Sequence, residues 1–190
     1  MRVGVLGLQG DFQEHLATFR ALGAEAIDVR RPEQLAGVEA LVIPGGESTT
    51  IGKLAERYGF IPAITQRASE GMPVWGTCAG AIFMAKEVPG HPHPILGLMH
   101  MTVERNAFGR QVDSFEADLE VRGMAGGPFH AVFIRAPRLG TLGKDVEVLA
   151  ALDDGSVVAV REGNLLATAF HPELTTDRRF HELFLRLGAV

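Results

Sequence analysis

PVWGTCAGA, residues 73–81, holds the only cysteine of the chain, Cys78, between Gly76 and Gly80. The apolar residues before it read as a strand, and AGAIFMAKE after it reads as the start of a helix. A residue flanked by glycines at a strand-to-helix corner is the layout of a nucleophile elbow, here G-x-C-x-G. The corner strains the backbone, and the positions two before and two after it must be small for strand and helix to approach. The helix N-terminus behind the sulfur favours thiolate over thiol. A lone free cysteine is as readily a small apolar core residue, so its neighbours have to decide between the two readings.

Outward from that corner, the first half of the chain alternates short apolar runs with helical spacing, the signature of a parallel sheet covered by helices on both faces. Residues 2–8 read as a central strand. A helix follows over 11–22, capped by Asp11 and ended by Gly23, with Phe12, Leu16, Phe19 and Leu22 at helical spacing. Further strands are expected over 26–29, 39–43 and 73–77, and helices from Ser48 or Thr49 and over 61–70. In the second half, MTVERNAF, SFEADLEV, HAVFIRAP, VEVLAALDD, SVVAVREG and NLLATAF are strands at close spacing. Asp153-Asp154-Gly155 and Glu162-Gly163-Asn164 read as hairpin turns between them. A last helix over 176–187 carries Phe180, Leu183, Phe184 and Leu187 on one face. The expected fold is one α/β domain over 1–190: a doubly wound, mostly parallel, flavodoxin-like sheet flanked by helices, which antiparallel strands extend or flank.

Bulk properties narrow the function. With 190 residues, 46% of them hydrophobic, the chain can bury one substantial core. A net charge of −5 leaves no basic stripe for phosphates, so neither nucleic acid nor anionic membrane is expected as a partner. One cysteine excludes an internal disulfide. The opening MRVGVLGLQGD reads as a buried strand rather than a signal peptide. No apolar run approaches the ~20 residues needed to span a bilayer, and the cytoplasm is the expected compartment.

A thiolate needs a base, and FHPE at 170–173 offers one just after an apolar strand. Pro172 biases His171 toward extended geometry, which puts His171 and Glu173 on one side of the chain. The glutamate can then hold one imidazole nitrogen and leave the other for Cys78, an arrangement of nucleophile, base and orienter. PGGES at 44–48 closes another expected strand. Ligand crevices of doubly wound sheets lie beyond the carboxyl ends of the strands, so this loop shares a rim with Cys78. An N–H from Gly45 or Gly46 would join that of Ala79 as an oxyanion hole. Taken singly, HPE is an ordinary turn after a strand and PGGES a Pro-Gly turn with a serine cap; together with the elbow they are far more specific.

These three motifs resemble the class I glutamine amidotransferases, in which a Cys-His-Glu triad releases ammonia from glutamine. GLQGDFQEH (7–15), PGGESTT (44–50), GTCAGA (76–81) and VERNAFGRQ (103–111) are similar to the branch that supplies pyridoxal 5′-phosphate synthase. The resemblance implies Cys78, His171 and Glu173 as the triad and an oxyanion hole at Gly46 and Ala79. It implies L-glutamine as substrate, bound by Gly46, Glu47, Ser48, Arg105, Ile134 and Arg135. A carboxylate such as Glu47 suits the substrate ammonium and an arginine its carboxylate; which does which stays open. It also implies a hetero-oligomeric complex with a barrel-shaped synthase subunit that accepts the ammonia. No cofactor or metal is expected.

Other features read more plainly. His91 and His93 in GHPHPI fit a solvated extended loop better than a metal pair, since no third ligand stands nearby. Gly4, Gly7 and Gly10 have the wrong spacing for a dinucleotide fingerprint. ILGLMHM (95–101) reads as core, and Arg178, Arg179 and Arg186 as the solvated face of the last helix. The rivals are a glutaminase serving another acceptor, such as imidazole glycerol phosphate synthase, a catalytically silent regulatory subunit, and a stand-alone cysteine hydrolase.

Overall fold

The apolar runs of the first half become the parallel strands of one sheet. The computed structural model describes residues 1–105 and 114–188. Its elements begin with β1 (Arg2–Leu6), α1 (Phe12–Ala21), β2 (Glu25–Val29), β3 (Ala40–Ile43), α2 (Ser48–Arg57) and α3 (Phe60–Ser69). Then come β4 (Val74–Thr77), α4 (Ala79–Met84), β5 (Ala85–Glu87), β6 (Met99–Glu104), β7 (Ser114–Leu119) and β8 (Phe129–Ile134). The chain continues with β9 (Arg138–Leu142), β10 (Glu147–Ala151), β11 (Val157–Glu162), β12 (Leu165–Thr168) and α5 (Arg179–Leu187).

The main sheet has seven strands in the order β10-β11-β12-β4-β3-β1-β2. Five of them, from β2 to β12, run parallel, and β11 and β10 are added antiparallel at one edge through the two expected hairpins. β1 is therefore next to the edge strand rather than central. It ends at Leu6 instead of residue 8, where Gly7 bonds back to Val29 and the chain turns away. The remaining strands flank the sheet as a three-stranded β5-β6-β9 unit and a β7-β8 pair. Two short strands, β5 and β9, were not expected from sequence. Within VERNAFGRQ, residues 106–111 lie outside the described residues.

Period-two alternation sorts β1, β3 and β4 between two cores. Val3, Val5, Ala40, Val42 and Trp75 face the layer built by α1 and α5, with Phe19, Phe180 and Phe184. Leu6, Leu41, Ile43 and Val74 face α2 and α3, with Ile51, Phe60 and Ile64. Arg179 is not on a solvated face: its guanidinium donates to the carbonyls of Ala125, Gly127 and Pro128 at 2.9, 2.7 and 2.9 Å, tying α5 to the turn before β8. Among the described residues, no helix is long and apolar enough to cross a membrane. The carboxyl ends of β1, β3, β4 and β12 are adjacent in the sheet, and the segments that follow them are the four marked by sequence: GLQGD, PGGES, the elbow and FHPE.

Candidate active site

Cys78 turns the chain from β4 into α4 with φ 48° and ψ −105°, a conformation that costs a non-glycine residue about 1–3 kcal/mol. Its N–H donates to the Thr168 carbonyl at 2.8 Å, and its carbonyl accepts from Ala81 and Ile82 at 3.1 and 3.3 Å. The flanking glycines have backbone reasons. A Cβ on Gly76 would sit 2.5 Å from the Gly80 carbonyl group, and one on Gly80 would collide with the Ile43 carbonyl oxygen in β3. Burial alone, at 6% exposed, suits a core cysteine; the strained corner does not. The sulfur lies 3.7 Å from the Ile134 carbonyl oxygen, next to Arg135, which is also held at positive φ, 44°.

His171 arrives from β12, the parallel neighbour of β4, and its backbone N–H donates to Val132 at 2.8 Å. His171 has φ −106° and ψ 85°, short of fully extended, and the chain does not run on straight beyond it. Pro172–Leu174 form a 3₁₀ turn, and that turn brings the Glu173 carboxylate back to His171 Nδ1 at 2.7 Å. The Cys78 side chain is the ring's other electrostatic partner. Burial works against a charged ring, but the bonds and charges of Cys78 and Glu173 outweigh it and raise the His171 pKa to about 10. Burial likewise opposes a charged Glu173, yet His15 and His171 hold it well below the usual carboxylate range.

The PGGES loop closes over the ring. A Cβ on Gly45 would overlap the His171 imidazole and touch Cys78 Cβ at 3.4 Å. The Gly45 carbonyl accepts from Asp11 N–H at 3.2 Å, which in a trans peptide turns the Gly46 N–H the opposite way. Gln9 Oε1 accepts the Glu47 N–H at 2.6 Å and holds the loop. α2 opens at Ser48 as expected, and Glu47 caps it: its carboxylate accepts from the N–H groups of Thr49 and Thr50 at 3.0 and 2.8 Å. Burial resists this charge, but the bonds from Thr50 and Thr49 prevail and lower its pKa to about 2. Arg105 lies 3.6 Å from that carboxylate and donates to His91 Nδ1 at 3.1 Å. GHPHPI is thus not a free solvated loop, since His91 is half-buried against Arg105. Ser48 is buried.

Sequence reasoning missed four residues here: Gln9, Asp11, His15 and His181. Asp11 makes no side-chain cap to α1; its Oδ2 is 3.6 Å from His171 Nδ1. Burial, partly countered by His171, raises its pKa. Asp11, His171 and Glu173 offer ligand atoms within 4.8 Å of one another. His171 Nδ1 is already bonded to Glu173, with Asp11 at ion-pair distance, so that nitrogen is not free to ligate a metal.

Residues 5–188 match the model of the SNO glutamine amidotransferase family. A protein of Herpetosiphon aurantiacus named pyridoxal 5′-phosphate synthase subunit PdxT is 61% identical over 190 residues, 98% of this chain and all of that one. A protein of the same name from Thermus thermophilus is 57% identical, covering 99% of this chain and 98% of its own. A crystal structure of a glutamine amidotransferase superposes with a TM-score of 0.94 at 57% identity, covering 99% of both chains. The structure of PurLQS from Thermotoga maritima shares the fold alone, with a TM-score of 0.72 at 17% identity over 97% of both chains.

Proposed function

This chain belongs to the SNO glutamine amidotransferase family, and from that premise we propose that it is the glutaminase subunit of a pyridoxal 5′-phosphate synthase. It hydrolyses L-glutamine to L-glutamate and ammonia, and a separate, barrel-shaped synthase subunit in a hetero-oligomeric complex consumes the ammonia. The observation that carries this reading is Cys78, strained at its elbow and facing an imidazole whose other nitrogen is held by Glu173 at 2.7 Å.

Each residue has a role in that chemistry. The Cys78 thiolate adds to the side-chain carboxamide carbon, and backbone N–H groups of Gly46 and Ala79 receive the oxyanion. As the C–N bond breaks, the His171 imidazolium gives its proton to the departing nitrogen, leaving a γ-glutamyl thioester and ammonia. His171, now neutral, takes a proton from water as that water attacks the thioester, and glutamate leaves with the thiolate restored. Glu173 keeps the ring oriented throughout. Gly46, Glu47, Ser48, Arg105, Ile134 and Arg135 line the glutamine site, where the opposite charges of Glu47 and Arg105 complement an amino acid's ammonium and carboxylate. Docking of the synthase completes the oxyanion hole near Gly45 and Gly46. A reduced thiol of this kind suits the cytoplasm.

Glutamate production, measured with and without the synthase subunit, tests the reading. The isolated chain is expected to be a weak glutaminase that the synthase activates, with amide nitrogen of glutamine entering the cofactor when free ammonia is kept low. Full activity of the lone chain with no gain from the synthase would refute partner dependence.

A further inference from the structure

The triad uses only one oxygen of Glu173. Oε1 takes the Nδ1 hydrogen of His171, while Oε2 is fully buried and has no straight hydrogen bond. Its near neighbour is Nε2 of His15 on α1, at 3.2 Å, an ion-pair distance rather than an aligned bond. The same Nε2 is 3.4 Å from Thr77 Oγ1. Nδ1 of His15 in turn meets Nε2 of His181 on α5 at 3.0 Å. Both histidines are wholly buried, their rings edge-on to Trp75. A buried polar group without a partner costs about 1–3 kcal/mol, more when charged. Two histidines sunk this deep beside a catalytic carboxylate therefore need a reason.

The hydrogen positions follow from what each nitrogen can reach. His181 Nδ1 is buried with no partner, so a hydrogen there would be wasted. Burial first, then the neighbouring His15, lowers the His181 pKa to about 3, and its single hydrogen belongs on Nε2, donated to His15 Nδ1. A neutral His15 then carries its hydrogen on Nε2, toward Glu173. A protonated His15 carries one there as well. In either charge state the hydrogen on Nε2 lies between Thr77 Oγ1 and Oε2, close enough to draw the carboxylate oxygen by charge without an aligned bond.

We propose that His15 is a positioning residue of the catalytic triad, holding Oε2 of Glu173 so that Oε1 stays on His171, and that His181 fixes the ring of His15. The charged and titratable groups facing Glu173 are His171, His15, Asp11 and, one ring further, His181. The inference rests on the glutaminase reading for the reaction it serves, but it concerns the reactivity of Cys78 whatever the amide.

The test uses the full-length chain with His15→Leu, His15→Gln and His181→Leu. Glutaminase kinetics are measured with the synthase present, and alkylation of Cys78 by iodoacetamide is followed across pH. Because Cys78 is the only cysteine, alkylation reports one thiol. His15→Leu is expected to lower kcat about 10- to 100-fold with KM within about twofold. It should also move the acid limb of the alkylation profile to higher pH, because a loosened Glu173 no longer supports the imidazolium. His15→Gln, whose amide N–H can take the place of Nε2, should recover most of the loss, and His181→Leu should shift the profile in the same direction by less. A folded His15→Leu protein with wild-type kcat and profile would overturn the proposal, as would equal damage from leucine and glutamine. Should His15→Leu fail to fold, His181→Leu decides alone: a shifted profile supports the role and an unshifted one overturns it. A wild type without glutaminase activity whose alkylation profile still responds to these substitutions would sink the proposed function and support the inference.

Discussion

Adding one methyl group at Gly45 is expected to disable the site and spare the fold. The Gly45 backbone is not held at positive φ, so alanine is conformationally acceptable there. Its Cβ, however, would sit 3.0 Å from His171 Nδ1 and 3.4 Å from Cys78 Cβ. Against an ordinary carbon contact of about 3.5 Å it would also overlap His171 Cε1 by about 1 Å. The ring is the free end of a side chain, so the ring gives way and the backbone stays. It then loses its alignment between Cys78 and Glu173, and a misplacement of about 1 Å costs on the order of a hundredfold in rate. Gly80→Ala makes the contrast, since its Cβ meets a β3 backbone carbonyl that cannot swing aside. That variant should lose stability, by about 1–3 kcal/mol or more. Glutamine hydrolysis with saturating synthase gives kcat, and thermal unfolding by circular dichroism gives Tm. Gly45→Ala with kcat within about threefold of wild type, or with a Tm loss like that of Gly80→Ala, would refute the reasoning.

Cys78→Ala and Cys78→Ser are expected to abolish hydrolysis with the fold intact, and an electrophilic glutamine analogue should label Cys78 in the wild type; labelling elsewhere would remove it as nucleophile. His171→Asn should be nearly as damaging, and Glu173→Gln milder, because orienting a base is worth less than being one; the reverse ranking in kcat would mean the roles are wrongly divided. Stability should follow the His171 titration. Its pKa is raised from 6.5 to about 10, and a raised pKa adds stability that is fully present below pH 6.5 and is lost as pH climbs through 10. The Tm gap between wild type and His171→Asn should therefore narrow across that window, and a constant gap would show that the ring's charge does not contribute.

How far the site could be read from sequence depended on whether its cause was local. The elbow was legible because Gly76 and Gly80 leave a spacing, and each proves to have a backbone neighbour where a Cβ would go. HPE was legible as a set of residues but not as a shape: proline also starts helical turns well, and the 3₁₀ turn at Pro172–Leu174 does the work assigned to extended geometry at His171. Glu47, just ahead of Ser48, caps α2 because its longer side chain spans the N–H groups of Thr49 and Thr50. β5 was missed because it is only three residues long, and β9 because Leu139 alone of its five residues is buried. His15 and His181 are 166 residues apart, and no motif joins them. A signal existed all the same: His15 falls between Phe12, Leu16 and Phe19 at i, i+3, i+4 and i+7 spacing, and His181 lies beside Phe180 and three before Phe184. A histidine on the apolar stripe of a helix is either satisfied or functional.

The distance between Cys78 and His171, the proposed nucleophile and base, is set by the register of one strand pair. β4 and β12 align Thr77 with Thr168, so Cys78 stands one residue beyond the pair and His171 three residues beyond it. A slip of one residue would move His171 about 3.3 Å along the sheet and turn β12 over, separating imidazole from sulfur. Two bonds oppose that slip: Cys78 N–H to the Thr168 carbonyl at 2.8 Å, and Trp75 Nε1–H to Thr168 Oγ1 at 3.2 Å. The second matters beyond the strands, because the indole it anchors is fully buried and is also the surface on which His15 and His181 rest edge-on. Trp75 thus fixes the proposed triad from two directions, through the register that delivers His171 and through the histidines behind Glu173. On the proposed mechanism, the tryptophan three residues before Cys78 helps to aim His171, and its burial in the core is how it does so.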